Sequence, residues 1–180
     1  MRFSLKPIIG LLSRAADLRQ ARRPTGRRRS PMALEMLETR NLLSIAGVTL
    51  SYGNLAFHAP TGSQGNVATV SIDPSNHDVM ATFNGQSEEF SAGQVTSITY
   101  EGGTGGGDTF TNNTSLTSLE YGFGQDNNYT GGSGFNYVYF YSGGNTYNAQ
   151  AGSLNDVFEV GGTDTIDNPD GAGVTAYVYS

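Results

Sequence analysis

From residue 46 onward, apolar and polar positions follow the two-residue period of strands. "VTLSY", "LAFHA" and "VATVSI" alternate or run apolar between turn residues. "VMATFNGQSEEF" places Asn84-Gly85 between two such runs. That dipeptide readily supplies the two positive φ angles of a tight hairpin turn, so residues 78–91 are predicted to form a hairpin. "QVTSITY" adds a strand with Ile98 and Tyr100 on one face and Ser97 and Thr99 on the other. No long window carries helical periodicity.

Past Glu101 the pattern becomes repetitive. Strand centres fall near Ile98, Phe110, Leu119, Tyr129, Val138, Tyr147, Phe158, Ile166 and Ala176, with steps of eight to twelve residues. Between them lie "GGTGGGD", "YGFGQD", "GGSGFN", "SGGN", "AGSLND" and "GGTD". A glycine turn, an Asp or Asn and a short strand, recurring in phase, predict stacked coils that bury an apolar face only against their neighbours. The expected fold is all-β: a short right-handed parallel β-roll or β-solenoid over 102–180, preceded by a strand-rich part with a hairpin over 45–101. An antiparallel sandwich with glycine-rich loops is the alternative.

Charge separates a third segment, 1–44. All ten Lys and Arg lie in the first forty residues with only three acids, a balance of +7. The remaining thirteen acids follow with no basic residue, a balance of −13. Such a body repels nucleic acid and attracts cations, so nucleic acid is not an expected partner. No stretch approaches the roughly 20 apolar residues of a membrane span, so none is expected. The absence of cysteine removes disulfides, thiolate metal sites and thiol nucleophiles.

The proline-interrupted arginine-rich segment reads as a solvated arm, disordered or partly helical. "ALEMLETRNLLS" can be drawn as a short amphipathic helix. Leu37, Glu38, Arg40, Leu42 and Leu43 also resemble the LEPR-XLL segment near the N-termini of many exported bacterial proteins, with Thr39 in place of its proline. The resemblance implies a targeting segment and an extracellular or cell-surface location.

The glycine–aspartate turns resemble the G-G-x-G-x-D-x-U-x unit of the repeats-in-toxin family. That resemblance implies calcium shared between stacked turns about eighteen residues apart, held by carboxylate and carbonyl oxygens. Asp108 and Asp126 are eighteen residues apart, Asn145 follows nineteen later and Asp164 nineteen after that. Asn136 and Asp156 would serve the opposite edge. The turns are degenerate: Asn128 occupies the apolar slot after Asp126, and asparagine brings no charge. Asp and Asn that simply cap their turns are the structural alternative.

"GFNYVYFYSGG" puts Tyr137, Tyr139 and Tyr141 on one strand face. Exposed, these rings could stack on sugars, as in carbohydrate-binding modules; otherwise they pack neighbouring coils together. Beyond residue 44 there is no Cys, Lys or Arg, and His58 and His77 are the only histidines. No nucleophile motif selects a serine, so no enzyme is expected. The expectation is a non-catalytic, exported structural or adhesive protein. Its expected partners are calcium ions and cell-surface polymers or other copies of itself, with a carbohydrate-binding module as the alternative.

Overall fold

The computed structural model describes residues 45–179. The basic segment and its motif residues Leu37, Glu38, Arg40, Leu42 and Leu43 lie outside the described residues. Strands β1 (Val48–Ser51) and β2 (Asn54–His58) pair antiparallel, as do β3 (Val67–Ile72), β4 (Val79–Phe83) and β5 (Gln86–Phe90) in sequence. The predicted hairpin is β4–β5, with Asn84 at φ 48° and Gly85 at φ 81° forming its turn. A 3-10 turn, Ala92–Gln94, leads into the repeat.

The repeat then alternates between two sheets. Sheet I takes β6 (Ser97–Glu101), β8 (Thr117–Gly122), β10 (Phe135–Phe140), β12 (Leu154–Glu159) and β14 (Gly173–Val178). Sheet II takes β7 (Thr109–Asn112), β9 (Asn128–Thr130), β11 (Thr146–Asn148) and β13 (Thr165–Asp167). Each of these nine strands contains one predicted centre. Successive strands within each sheet are parallel, so the repeat is a β-solenoid and the antiparallel sandwich is excluded. Parallel pairing also reaches back from β6 to β2 and from β7 to β3. The strand-rich part therefore supplies a first coil, with β4–β5 as an excursion from it.

Inside the coils, sheet II contributes a column of Ala68, Phe110, Tyr129, Tyr147 and Ile166. Facing it, sheet I contributes Phe57, Tyr100, Glu120, Val138 and Val157 in register, with Ala176 at the same position of the last coil but exposed. The Tyr100 and Phe110 rings stack across the interior with centroids 4.9 Å apart. Burial of these rings is the main apolar contribution, roughly 1.5–3 kcal/mol for each large side chain removed from water. Two predicted centres, Leu119 and Phe158, instead face outward; Glu120 and Val157 hold the interior positions. A polar residue in the core lane inverted the apparent alternation of β8.

Corners between strands are so tight that neighbouring backbones touch. A Cβ on Gly124 would overlap the backbone of Gly106 on the adjacent coil. A Cβ on Gly93 would meet nothing, and Gly93 has no positive φ. Gly124→Ala is expected to destabilise the fold by at least about 2 kcal/mol, since rigid backbone must shift, whereas Gly93→Ala should stay within about 0.5 kcal/mol. Urea unfolding of both variants measures the difference.

Candidate functional site

The glycine corners carry an internal polar ladder. Asp108, fully buried, accepts from the Asn66 backbone N–H and side-chain amide at 2.7 and 2.8 Å through Oδ1, and from Gly103 N–H through Oδ2. Asp108 N–H donates to Asn127 Oδ1 at 3.0 Å. Asn127 in turn donates its backbone N–H and amide to Asn145 Oδ1, and Asn145 donates both to Asp164 Oδ1. Each rung sits two residues before an inward apolar residue: Asp108 before Phe110, Asn127 before Tyr129, Asn145 before Tyr147, Asp164 before Ile166. With period two, both members of each pair point inward.

Asp108, Asn145 and Asp164 thus join one column as the spacing suggested, but the rung between the first two is Asn127. Asp126 does not lie beside Asp108. It occupies an exposed left-handed corner at φ 59° and lies against Gly144 of the next coil. Asn136 belongs to a second buried column, donating to Asn155 Oδ1 at 2.8 Å. Asp156 is one residue out of phase with it and faces outward in register with Tyr137. A one-residue slip reverses the face, which is why the acids and amides separate. Among the described residues, no three His, Asp or Glu side chains gather as a metal-binding group.

Among the described residues, three buried polar atoms break the pattern of satisfied groups: the Tyr100 hydroxyl, Asp164 Oδ2 on the ladder itself, and one oxygen of a core carboxyl, Glu120. Glu120 is fully buried between Tyr100 and Val138, and burial pushes its carboxyl up to about 8. Ser118 Oγ lies 2.6 Å from Glu120 Oε1 and 2.7 Å from Asn136 Oδ1. One hydroxyl proton cannot serve two acceptors, so a protonated Glu120 donates to Ser118, which donates to Asn136. Glu120 Oε2 has no hydrogen-bond partner among the described residues.

The outer face of sheet I is aromatic. Tyr121, Tyr139, Phe158 and Tyr177 form one in-register column, stacked with centroid steps of 5.3, 4.5 and 4.7 Å. Beside it, Phe123 and Tyr141 stack at 5.2 Å, 41% and 43% exposed. Val160 and Tyr179 continue the exposed row on the following coils, held by backbone bonds to Phe140 and Glu159. Tyr137, half-buried, packs on Phe135 at 4.7 Å. Tyr137, Tyr139 and Tyr141 therefore share the outward face that alternation predicted, and they are also stacked on neighbours. Tyr121, Phe123, Phe158, Tyr177 and Tyr179 join this face without being legible in the sequence, because their shared face depends on coil register. Partial burial and neighbouring tyrosines raise the Tyr121 and Tyr139 phenols, so both stay neutral at ordinary pH.

At the N-terminal end of the same column, Glu101 precedes Tyr121 in register, and His58 precedes Glu101. His58 Nδ1 and Glu101 Oε2 are 2.7 Å apart, with both side chains nearly half exposed. Among the described residues, no helix is long and apolar enough to cross a membrane.

The buried carboxyl sets a sign for pH dependence. Its folded pKa, about 8, lies above the ordinary carboxyl value of 4.5, so its stabilisation is complete below about 4.5 and is lost as pH rises through 8. Burial raises Glu159 and Asp164 in the same sense, while Asp73, hydrogen-bonded to Ser75, is lowered in the opposite sense. Melting temperature is expected to fall between pH 5 and pH 9, and Glu120→Gln should remove most of that fall. No protein-family model, curated protein or solved structure matches this chain.

Proposed function

We propose that this protein is a non-catalytic, exported or cell-surface domain with an adhesive role, and that its contact surface is the outer face of sheet I. The observation that carries the reading is an aromatic row, Tyr121–Tyr139–Phe158–Tyr177, beside an exposed and largely aromatic one, Phe123–Tyr141–Val160–Tyr179, both running across four coils. A contiguous apolar row on a solvated face marks an interaction surface more often than scattered single residues do. Tyrosine suits such a surface, since its ring adds contact area while its hydroxyl stays hydrated. The LEPR-XLL resemblance and the basic segment support export.

A catalytic role has less support. The His58–Glu101 pair resembles an oriented base, yet no serine or threonine is hydrogen-bonded to either side chain among the described residues. Calcium is not required by this reading, because the corner oxygens of Asp108, Asn127 and Asn145 already accept hydrogen bonds from the adjacent coil or corner. The carbohydrate-binding alternative gains support from the outward tyrosines and uses the same face.

Adsorption of the full chain to isolated bacterial cell-envelope fragments, followed by quartz microbalance, tests the proposal. Tyr139→Ser with Tyr141→Ser is expected to abolish most adsorption while leaving far-ultraviolet circular dichroism unchanged. Unchanged adsorption would remove the aromatic face from the function. Melts in millimolar calcium and in chelator are expected to coincide; a calcium-dependent rise would return the role to the glycine corners.

A further inference from the structure

We infer that the column Tyr121–Tyr139–Phe158–Tyr177 binds a single chain of an uncharged polysaccharide laid along the stacking axis, with the Glu101–His58 pair as its polar terminus. The inference rests on the adhesive reading of this face and adds the ligand's chemistry and direction.

The ring geometry comes first. Tyr139, Phe158 and Tyr177 are within 7–8° of parallel at centroid steps of 4.5 and 4.7 Å. Carbon atoms in optimal contact lie about 3.5–4.0 Å apart, closer than these steps, so parallel rings spaced by the strand pairing must lean. Each ring then covers its neighbour only in part, like overlapping tiles, and all four rings remain partly or largely open to solvent. The rings repeat over four coils at centroid steps of 5.3, 4.5 and 4.7 Å, forming a track of about 14 Å, as strand spacing sets it. A linear polymer with a regular repeat and apolar ring faces matches such a track.

Polar groups on the track exclude a purely apolar partner. Three of the four rings bear hydroxyls at three of the four outward positions: Tyr121, Tyr139 and Tyr177. Covering them with hydrocarbon would strand donors and acceptors at a cost that sugar hydroxyls avoid. At the end of the track, His58 and Glu101 remain nearly half exposed after bonding each other. The carboxylate keeps acceptor capacity for sugar hydroxyls.

Charge decides which polysaccharide. From residue 41 to 180 there is no Lys or Arg, and of the thirteen acidic residues all but the buried Glu120 are available to carry negative charge. Glu101 lies on the track and Asp156 in the adjoining outward row, in register with Tyr137. Neither position offers a cation for a uronate, sulfate or phosphate, and both repel one. The complementary partner is uncharged.

Titration calorimetry of the full chain at 0.3 M salt tests this with hydroxyethyl cellulose as the uncharged probe and carboxymethyl cellulose as its anionic counterpart. The uncharged polymer is expected to bind. Tyr139→Leu with Phe158→Leu, which keeps apolar cover while removing both rings, should weaken binding at least tenfold, and Glu101→Gln about threefold. Tyr52→Ala, a fully exposed tyrosine off this face, should leave affinity unchanged. Anionic polymer binding that ignores the ring substitutions reports the basic segment and agrees with the proposal. No binding of the uncharged polymer, binding indifferent to the ring substitutions, or equal ring-dependent binding of both polymers overturns it. If uncharged polymer fails while envelope adsorption still needs Tyr139 and Tyr141, the adhesive reading stands and the polysaccharide inference falls alone.

Discussion

In-register parallel pairing of each coil on the next is the constraint from which the rest of this molecule follows. A coil of 18 to 20 residues returns each strand position above its counterpart, so each residue is stacked on whatever occupies the same place below. Inside, this brings Phe110, Tyr129 and Tyr147 into one column and the amides of Asn127 and Asn145 into another. Outside, it aligns Tyr121, Tyr139, Phe158 and Tyr177. Backbone hydrogen bonds hold the spacing, and the side chains decide what the stack presents.

Asparagine is well matched to the inner corner of such a stack. Its carbonyl accepts from the previous coil while its own N–H groups donate to the next, so a buried polar column is satisfied rung by rung without charge. Aspartate fits where an end or a close glycine N–H supplies extra donors, as at Asp108. The same arrangement occupies Oδ1 of Asp108, Asn127, Asn145 and Asp164 with hydrogen bonds and leaves Asp164 Oδ2 without a partner among the described residues. Glu120 departs from this economy: a carboxyl in the apolar column stays neutral only because water cannot reach it, which ties the interior to pH.

The outer aromatic rows have a double character for the same reason. Stacking at the strand spacing gives ring pairs worth roughly 0.5–1.5 kcal/mol beyond their burial, which stabilises successive coils. Because that spacing exceeds optimal ring contact, part of each face remains open. One geometric mismatch therefore lets a stabilising stack also serve as a contact surface.

Much of the fold was readable from local chemistry. Asn84-Gly85 demanded a hairpin, and the glycine-punctuated rhythm marked nine strands in the repeat, each of which the structure contains. Alternation placed Tyr137, Tyr139 and Tyr141 on one face. What the sequence alone could not decide was phase and partnership. Spacing could not separate Asp126 from Asn127, since only the left-handed corner at Asp126 decides which of the two turns inward. Nor could it show that Leu119 and Phe158 face solvent while Glu120 lies in the core. The inward Asx two residues before Phe110, Tyr129, Tyr147 and Ile166 was a legible signal, but its meaning required the columns. Local propensity fixes where strands begin and turn; the register of one coil on another, a contact between residues 18 to 20 apart, decides which side chains meet and which face carries the chemistry.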